Sequence, residues 1–450
     1  MPPMDVTIEK LIYGGDGLAH HKGSTVFIPF VLPAERVVAL PVEQKKKFVR
    51  ARVEQLLAPS TQRTLARCPH FGICGGCHYQ HIPYEAQLKY KIEILRETLR
   101  RVGRIDWTGE IKVHASPPWG YRNRAQWKVR PPSEASPIGI ASQTVSGTTN
   151  ETTAKLDIGY FRANSTALCA VEHCAILSPL LLKTLLALRE ALAAGVLPRE
   201  LREIEAFSNE GPGDLATPAS AKLLLTATFA GFPSRITEHA ETIRGVVPEA
   251  ASILFHDPSH DRMELFGPGF LETAAMGTQY RVGHFSFFQV NRFLVEDLVR
   301  IVGHDENGRL ALDLFAGVGL FSIPLAKHFE RVISVESNPA ATRDLESNKR
   351  GLGSIEVRTA EVERFLERNK ERPELVVLDP PRDGLAPEAA KRLGRLQPAR
   401  LTYVSCEPPT LARDLAVLTQ AGYEPTEIHM FDLFPQTFHM ETVVRLRRRE

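Results

Sequence analysis

Between residues 310 and 404, five short apolar runs alternate with segments of helical character. The runs are Leu310–Phe315, Val332–Val335, Ile355–Val357, Leu375–Leu378 and Leu401–Val404. Strands this uniformly apolar are buried on both faces, and the helices between them supply the cover. The pattern predicts a parallel, Rossmann-like sheet in a mixed α/β protein, and ligands of such sheets bind outside the carboxyl ends of the strands. No internal repeat accompanies it.

The first of these strands runs into Asp313-Leu314-Phe315-Ala316-Gly317-Val318-Gly319. Glycines there permit a tight turn and a close approach of a ligand to the backbone before a helix begins. The second strand ends at Glu336, placed to accept hydrogen bonds from ribose hydroxyls. The third glycine of a dinucleotide fingerprint is missing, because Ser322 holds its place. The acid Asp313 beside the turn also suits a cation better than a pyrophosphate. S-adenosylmethionine, a sulfonium without phosphate, is therefore the expected cofactor.

The fourth run enters Asp379-Pro380-Pro381-Arg382, and the fifth ends at Cys406. Asp-Pro-Pro is a rigid loop at a strand end. In methyltransferases acting on exocyclic amines an aromatic follows a similar motif; here Arg382 follows it, which argues against that chemistry. A cysteine beside a methyl donor has a use on a pyrimidine. Sulfur adds to carbon-6 of uracil, carbon-5 becomes nucleophilic and takes the methyl, a base removes the carbon-5 proton, and sulfur leaves. The step needs a thiolate and a general base, for which His439-Met440-Glu441 is the best late source.

The front of the chain differs. Residues 1–58 hold short strand-like runs and a Gly14-Gly15-Asp16-Gly17 turn, the pattern of a five-stranded barrel of the kind that binds oligonucleotides. Cys68, Cys74 and Cys77 follow as C-x5-C-x2-C, with Cys169 and Cys174 farther on. Leu88, Ile92, Leu95 and Leu99 share one face of a helix predicted over 84–101, with Lys89, Lys91, Arg96 and Arg100 placed elsewhere on it. Residues 105–280 mix strands with a few helices. The stretch Ser142–Lys155, rich in Ser, Thr and Gly, is expected to be a mobile loop.

Bulk properties restrict the partners. At 450 residues and a net charge of +2 the chain has no global basic excess. Nucleic acid must therefore meet local patches such as Lys45-Lys46-Lys47, Arg96 with Arg100-Arg101, and Arg447-Arg448-Arg449. No apolar run reaches the roughly 18 residues of a membrane helix, and the N-terminus lacks the pattern of a signal peptide. A cytoplasmic, reducing setting is expected, where clustered cysteines bind metal or catalyse more often than they form disulfides.

Together these motifs resemble the RNA 5-methyluridine methyltransferases, in the branch with an N-terminal TRAM barrel and a 4Fe–4S cluster. The resemblance rests on Cys68-Pro69-His70-Phe71-Gly72 through Cys77, Phe287-Phe288-Gln289-Val290-Asn291, the glycine turn, Asp379-Pro380-Pro381-Arg382, Val404-Ser405-Cys406 and His439-Met440-Glu441. It implies a TRAM/OB-like barrel over 1–58, a mixed α+β iron–sulfur domain over 59–280 and a class I methyltransferase domain over 281–450. It makes Cys406 the nucleophile and Glu441 the base. Gln289, Phe315, Glu336 and Asp379 line the cofactor and the target uracil, Glu361 lies near the adenine, and Phe287 stacks on a substrate ring. It also selects Cys174 over Cys169 as the fourth cluster ligand. Four thiolates suit zinc or an iron–sulfur centre. The single C-x2-C knuckle disfavours a zinc ribbon, and the x5 spacing disfavours a radical S-adenosylmethionine cluster.

The implied activity is methylation of carbon-5 of a uridine in structured RNA, 23S rRNA ahead of tRNA, by a monomer. Methylation of another nucleic-acid atom and a non-catalytic RNA-binding or folding role are the alternatives; joint retention of Asp379, Cys406 and Glu441 speaks against the second. The chain departs from the family pattern at Glu407, where Asn is common. A carboxylate beside Cys406 is expected to raise the thiol pKa unless it points away or pairs with a cation.

Overall fold

The computed structural model describes residues 2–131, 156–213, 220–303 and 306–449; the predicted loop at 142–155 lies outside them. The front forms one curled antiparallel-rich sheet from Met4–Thr7, Lys10–Leu11, Asp16–His21, Ser24–Pro29, Arg36–Gln44 and Phe48–Ala58. Its two outermost strands are halves of a single bent run. Met4–Thr7 pairs with the strand Arg36–Gln44, whereas Glu9 donates its amide to Leu18 and Lys10–Leu11 pairs with Asp16–His21. The partner switch at Ile8–Glu9 brings the sheet round on itself. Five chain runs thus make one curled sheet around Val6, Ile8, Ala19, Val26, Ile28, Val37 and Val49.

A seven-stranded sheet occupies the middle of the chain. It is antiparallel except where Leu223–Phe229 and Ala250–Asp257 run parallel, joined by the helix Ile236–Val246. The helix Pro179–Ala193 covers it with Leu180, Leu181, Leu185 and Leu188.

The third sheet carries the site. Its strands are β1 (Ile111–His114), β2 (Gly308–Leu314), β3 (Phe329–Glu336), β4 (Ile355–Thr359), β5 (Leu375–Leu378), β6 (Arg400–Ser405), β7 (Tyr423–Phe431) and β8 (Glu441–Arg448). Their order is β4-β3-β2-β5-β6-β8-β7-β1. The five strands from β4 to β6 are parallel, and β8 closes antiparallel on β6. Alternate residues serve opposite faces, as the pleat requires. Leu310, Leu312, Leu314, Ile333, Val335, Val376, Leu378, Leu401 and Tyr403 join one core. Ala311, Val332, Leu375, Val377 and Val404 join the other.

The helix over Tyr84–Arg101 has the predicted bounds. It packs on the first of those faces, against the helix Pro408–Gln420. With β1 at the sheet edge, residues 84–114 therefore belong by packing to the C-terminal sheet, although they fall within the central segment expected over 59–280. Among the described residues no helix is long and apolar enough to cross a membrane.

One residue of this helix corrects the sequence reading. Lys91 is not off the apolar face but fully buried. Its ammonium donates to Asp432 Oδ1 at 2.6 Å and to the carbonyls of Phe434 at 3.2 Å and His439 at 2.7 Å. Burial lowers the pKa of Lys91, and Asp432 opposes that shift. Removing one partner of such a pair costs about 3–5 kcal/mol, so the pair fixes the chain over 432–439, which leads into β8. Arg96 likewise serves the fold, donating to the carbonyls of Trp107 and Gly109.

Candidate active site

The parallel strands end in a row. Following the sheet order, Glu361, Glu336, Phe315, Asp379 and Cys406 lie just beyond or at the carboxyl ends of β4, β3, β2, β5 and β6. The strand order reverses between β2 and β5, so the crevice of an open α/β sheet falls between Phe315 and Asp379. Five of the residues singled out from sequence are thus brought to one edge by topology alone.

The cofactor side is set by backbone geometry. Phe315 has φ +66°, a left-handed conformation that costs a non-glycine residue about 1–3 kcal/mol and marks functional turns. Gly317 and Gly319 follow with φ +53° and +90°. Glu336 is fixed by two amides, from Gly317 at 2.9 Å and from Asn338 at 2.7 Å. Each carboxylate oxygen keeps a lone pair for a ribose hydroxyl. Glu361 N-caps the helix Val362–Arg368 by position, without a side-chain cap bond. Asp313, expected to face a cation, is instead buried beneath the turn and accepts a 2.5 Å hydrogen bond from Ser322. Burial pushes its carboxyl up to about 7. It braces the turn.

The loop from 284 to 294 closes over this edge. Asn338 donates to the carbonyl of Phe285 at 2.9 Å, and Asn291 donates to the carbonyl of Leu433 at 3.1 Å. Gln289 is buried within the loop, whereas Phe287 is 59% exposed. An exposed ring beside the crevice is available for stacking on a base.

The reacting side is set by register. Val404 pairs with Val443 and Ser405 with Thr442. One further step places Cys406 opposite Glu441, the first residue of β8. Directly opposed residues of an antiparallel pair have Cβ atoms about 4.5–5.5 Å apart on one face. Electrostatics agrees with that placement. The Cys406 thiol is pushed up to about 12, first by burial and then by the charge of Glu441; Asp379 adds to this, and Arg382 opposes it through its charge and a hydrogen bond. Glu441 is 4% exposed, its Oε1 has no partner, and its pKa is raised well above the carboxylate range by burial and by Asp379. Asp379 is raised in turn, chiefly by burial. His439 is a poor base, because burial and the cations around it, Arg382 first, push it down to about 3.

Arg382 was passed over in sequence as the residue that replaces an aromatic. The rigid Pro380-Pro381 step brings its guanidinium to the thiol, where it favours the thiolate. Asp432, which with Lys91 holds the approach to Glu441, had no local sequence signal.

The cysteines form a second centre. Cys68, Cys74, Cys77 and Cys174 line one cavity of about 210 Å³, together with Gln80, Arg122 and Tyr160. Cys169 does not line it, although its thiol contacts that of Cys74. All are free thiols. Among the described residues no three His, Cys, Asp or Glu side chains converge closely enough to hold a single metal ion, so the expected iron–sulfur centre is not present as a formed ligand set. Four thiols around a common cavity nevertheless match the donor set such a cluster takes. The loop is tied to the active site: His78 and Tyr79, directly after Cys77, donate their amides to Gln436 at 2.8 and 3.0 Å.

Known proteins are similar to this chain in sequence and fold. The family described as tRNA (Uracil-5-)-methyltransferase matches residues 270–449. An uncharacterized RNA methyltransferase of Aquifex aeolicus is 32% identical, over 99% of this chain and 98% of its own. The 23S rRNA (uracil(1939)-C(5))-methyltransferase RlmD of Klebsiella pneumoniae is also 32% identical, over 99% and 95%. The crystal structure of the Pyrococcus abyssi tRNA (uracil-54, C5)-methyltransferase, in complex with S-adenosyl-L-homocysteine, covers 98% of this chain and all of that one, at 26% identity and a TM-score of 0.72. Being 32% identical to such an enzyme across nearly its whole length, this chain belongs to the S-adenosylmethionine-dependent RNA (uracil-C5)-methyltransferase family.

Proposed function

We propose that this enzyme methylates a uridine of 23S rRNA through a covalent Cys406–uracil adduct, with Glu441 as the base that removes the carbon-5 proton. The observation that carries the mechanism is the register of β6 and β8, which sets Ser405 opposite Thr442 and leads Cys406 toward Glu441, whose charge acts on the thiol, one strand from Asp379. Arg382 stabilises the thiolate. Glu336 and the turn at Phe315 orient S-adenosylmethionine, with Gln289, Glu361 and Asp379 along the same edge, and its sulfonium supplies the methyl group. The barrel over 1–58 and exposed Phe287 contact the RNA. For the substrate, relatives named for 23S rRNA match at higher identity than the tRNA enzyme of known structure.

Mass mapping of modified nucleosides, in cells with and without the gene, tests this reading. Loss of one 5-methyluridine from 23S rRNA is the expected result. Loss from tRNA alone would reassign the substrate, and no change in either RNA would end the proposal.

We also assign a 4Fe–4S cluster to Cys68, Cys74, Cys77 and Cys174. Its role is to hold the loop that anchors Gln436, since the methyl transfer needs no electron. Anaerobically purified protein is expected to be brown, with about four irons and four sulfides per chain. Serine at any of the four positions should bleach it, and Cys169→Ser should leave the colour. A brown Cys174→Ser variant with a bleached Cys169→Ser variant would reverse the choice of fourth ligand.

A further inference from the structure

The N-terminal barrel reaches into the active site through one side chain. Tyr13 sits on the turn between Lys10–Leu11 and Asp16–His21. Its hydroxyl donates to Glu407 Oε2 at 2.8 Å, across 394 residues of sequence. Glu407 directly follows Cys406 and opens the helix Pro408–Gln420. The Tyr13 ring also meets Phe438 edge-on at 5.3 Å, and Phe438 packs on His439 at 4.0 Å. The turn is seated tightly: a Cβ at Gly15, which has φ +92°, would lie 3.2 Å from His78 and 3.3 Å from Phe438. An ion pair between Lys10 and Glu97 at 2.5 Å fixes the same end of the barrel to the helix Tyr84–Arg101.

We infer that Tyr13 is a positioning residue for the Cys406 thiol: it holds the Glu407 carboxylate turned away from sulfur, so the nucleophile is ready only when the barrel is docked. The inference rests on the reading of Cys406 as the nucleophile. A carboxylate on the adjacent residue would ordinarily raise the thiol pKa. The charges that act most on Cys406 come from Glu441 on β8 and from Asp379 and Arg382 on the β5 loop. The charge of Glu407 falls instead on Tyr13, whose phenol it raises after burial.

The test follows the alkylation of Cys406 by iodoacetamide as a function of pH in the full-length protein, with the modified residue located by mass spectrometry. Tyr13→Phe removes only the hydroxyl. It is expected to move the alkylation profile of Cys406 up by about one pH unit, a tenfold slower reaction at fixed pH. Glu407→Gln in that background should restore the wild-type profile, and Glu407→Gln alone should leave it in place or lower it. An unchanged profile in Tyr13→Phe, or no restoration by Glu407→Gln, would overturn the inference. Trapping on RNA containing 5-fluorouridine separates the two readings. Absence of a wild-type adduct would refute Cys406 as nucleophile, whereas a wild-type adduct with an unshifted Tyr13→Phe profile would refute only the role of Tyr13.

Discussion

Cys406→Ala is expected to abolish methyl transfer, with a loss on the order of 10⁴-fold or more, because alanine leaves no atom to activate carbon-5 of uracil. The geometry makes this loss specific. Cys406 lies at the carboxyl end of β6, opposite Glu441 and within hydrogen-bonding reach of Arg382. Incubation of the wild type with S-adenosylmethionine and RNA containing 5-fluorouridine should give a denaturation-resistant adduct. Methylation places both fluorine and methyl on carbon-5; fluorine cannot leave as a cation, so sulfur stays bound to carbon-6. The alanine variant should form no adduct while retaining RNA binding. Methylation by that variant at the wild-type rate would remove Cys406 from the mechanism.

The parallel sheet was legible because its strands are buried on both faces and therefore written almost without polar residues. Each of the five predicted runs became a strand, and the carboxyl ends fell where the rule for such sheets puts a ligand. The helix over 84–101 was legible from its leucine spacing. Lys91 was misread on charge rather than on period: residues 88, 91 and 95 follow helical spacing, so the sequence itself placed Lys91 on the buried side. What justifies its burial, Asp432, lies 341 residues away.

The three strands that finish the sheet, β8 antiparallel to its neighbours and β1 parallel to β7, were harder to read. β7 begins Tyr423-Glu424-Pro425-Thr426-Glu427, polar and broken by proline. β1 comes from a region some two hundred residues before β2. The opposition of Cys406 and Glu441 is a matter of register between β6 and β8, which no local pattern encodes. Glu407 shows the same limit. Its charge beside the thiol was visible, and the phenol that hydrogen-bonds it lies 394 residues away in sequence. The cysteine spacing singled out residues that line one cavity, Cys68, Cys74, Cys77 and Cys174, while the cluster expected there has no formed ligand set among the described residues.

Glu441→Gln separates the two halves of the reaction. Glutamine keeps the shape of the side chain and removes its basicity, and loss of a general base slows its step by about 10²–10⁴-fold. Methyl transfer should still occur, after which the carbon-5 proton has no acceptor and the adduct should accumulate on ordinary RNA. The same substitution makes an opposite prediction for the thiol. The Glu441 carboxylate, once ionised, raises the pKa of Cys406, and burial with Asp379 delays that ionisation to above its raised pKa. Above that pKa iodoacetamide should therefore modify Cys406 faster in Glu441→Gln than in the wild type, and below it the two should react alike, while turnover falls. A general disruption of the site has no reason to make the nucleophile more reactive and the enzyme slower together. Normal turnover without adduct would move the base elsewhere. Asp379 would then be the first candidate, since its charge acts on both Glu441 and Cys406, ahead of His439, which burial leaves too weak a base.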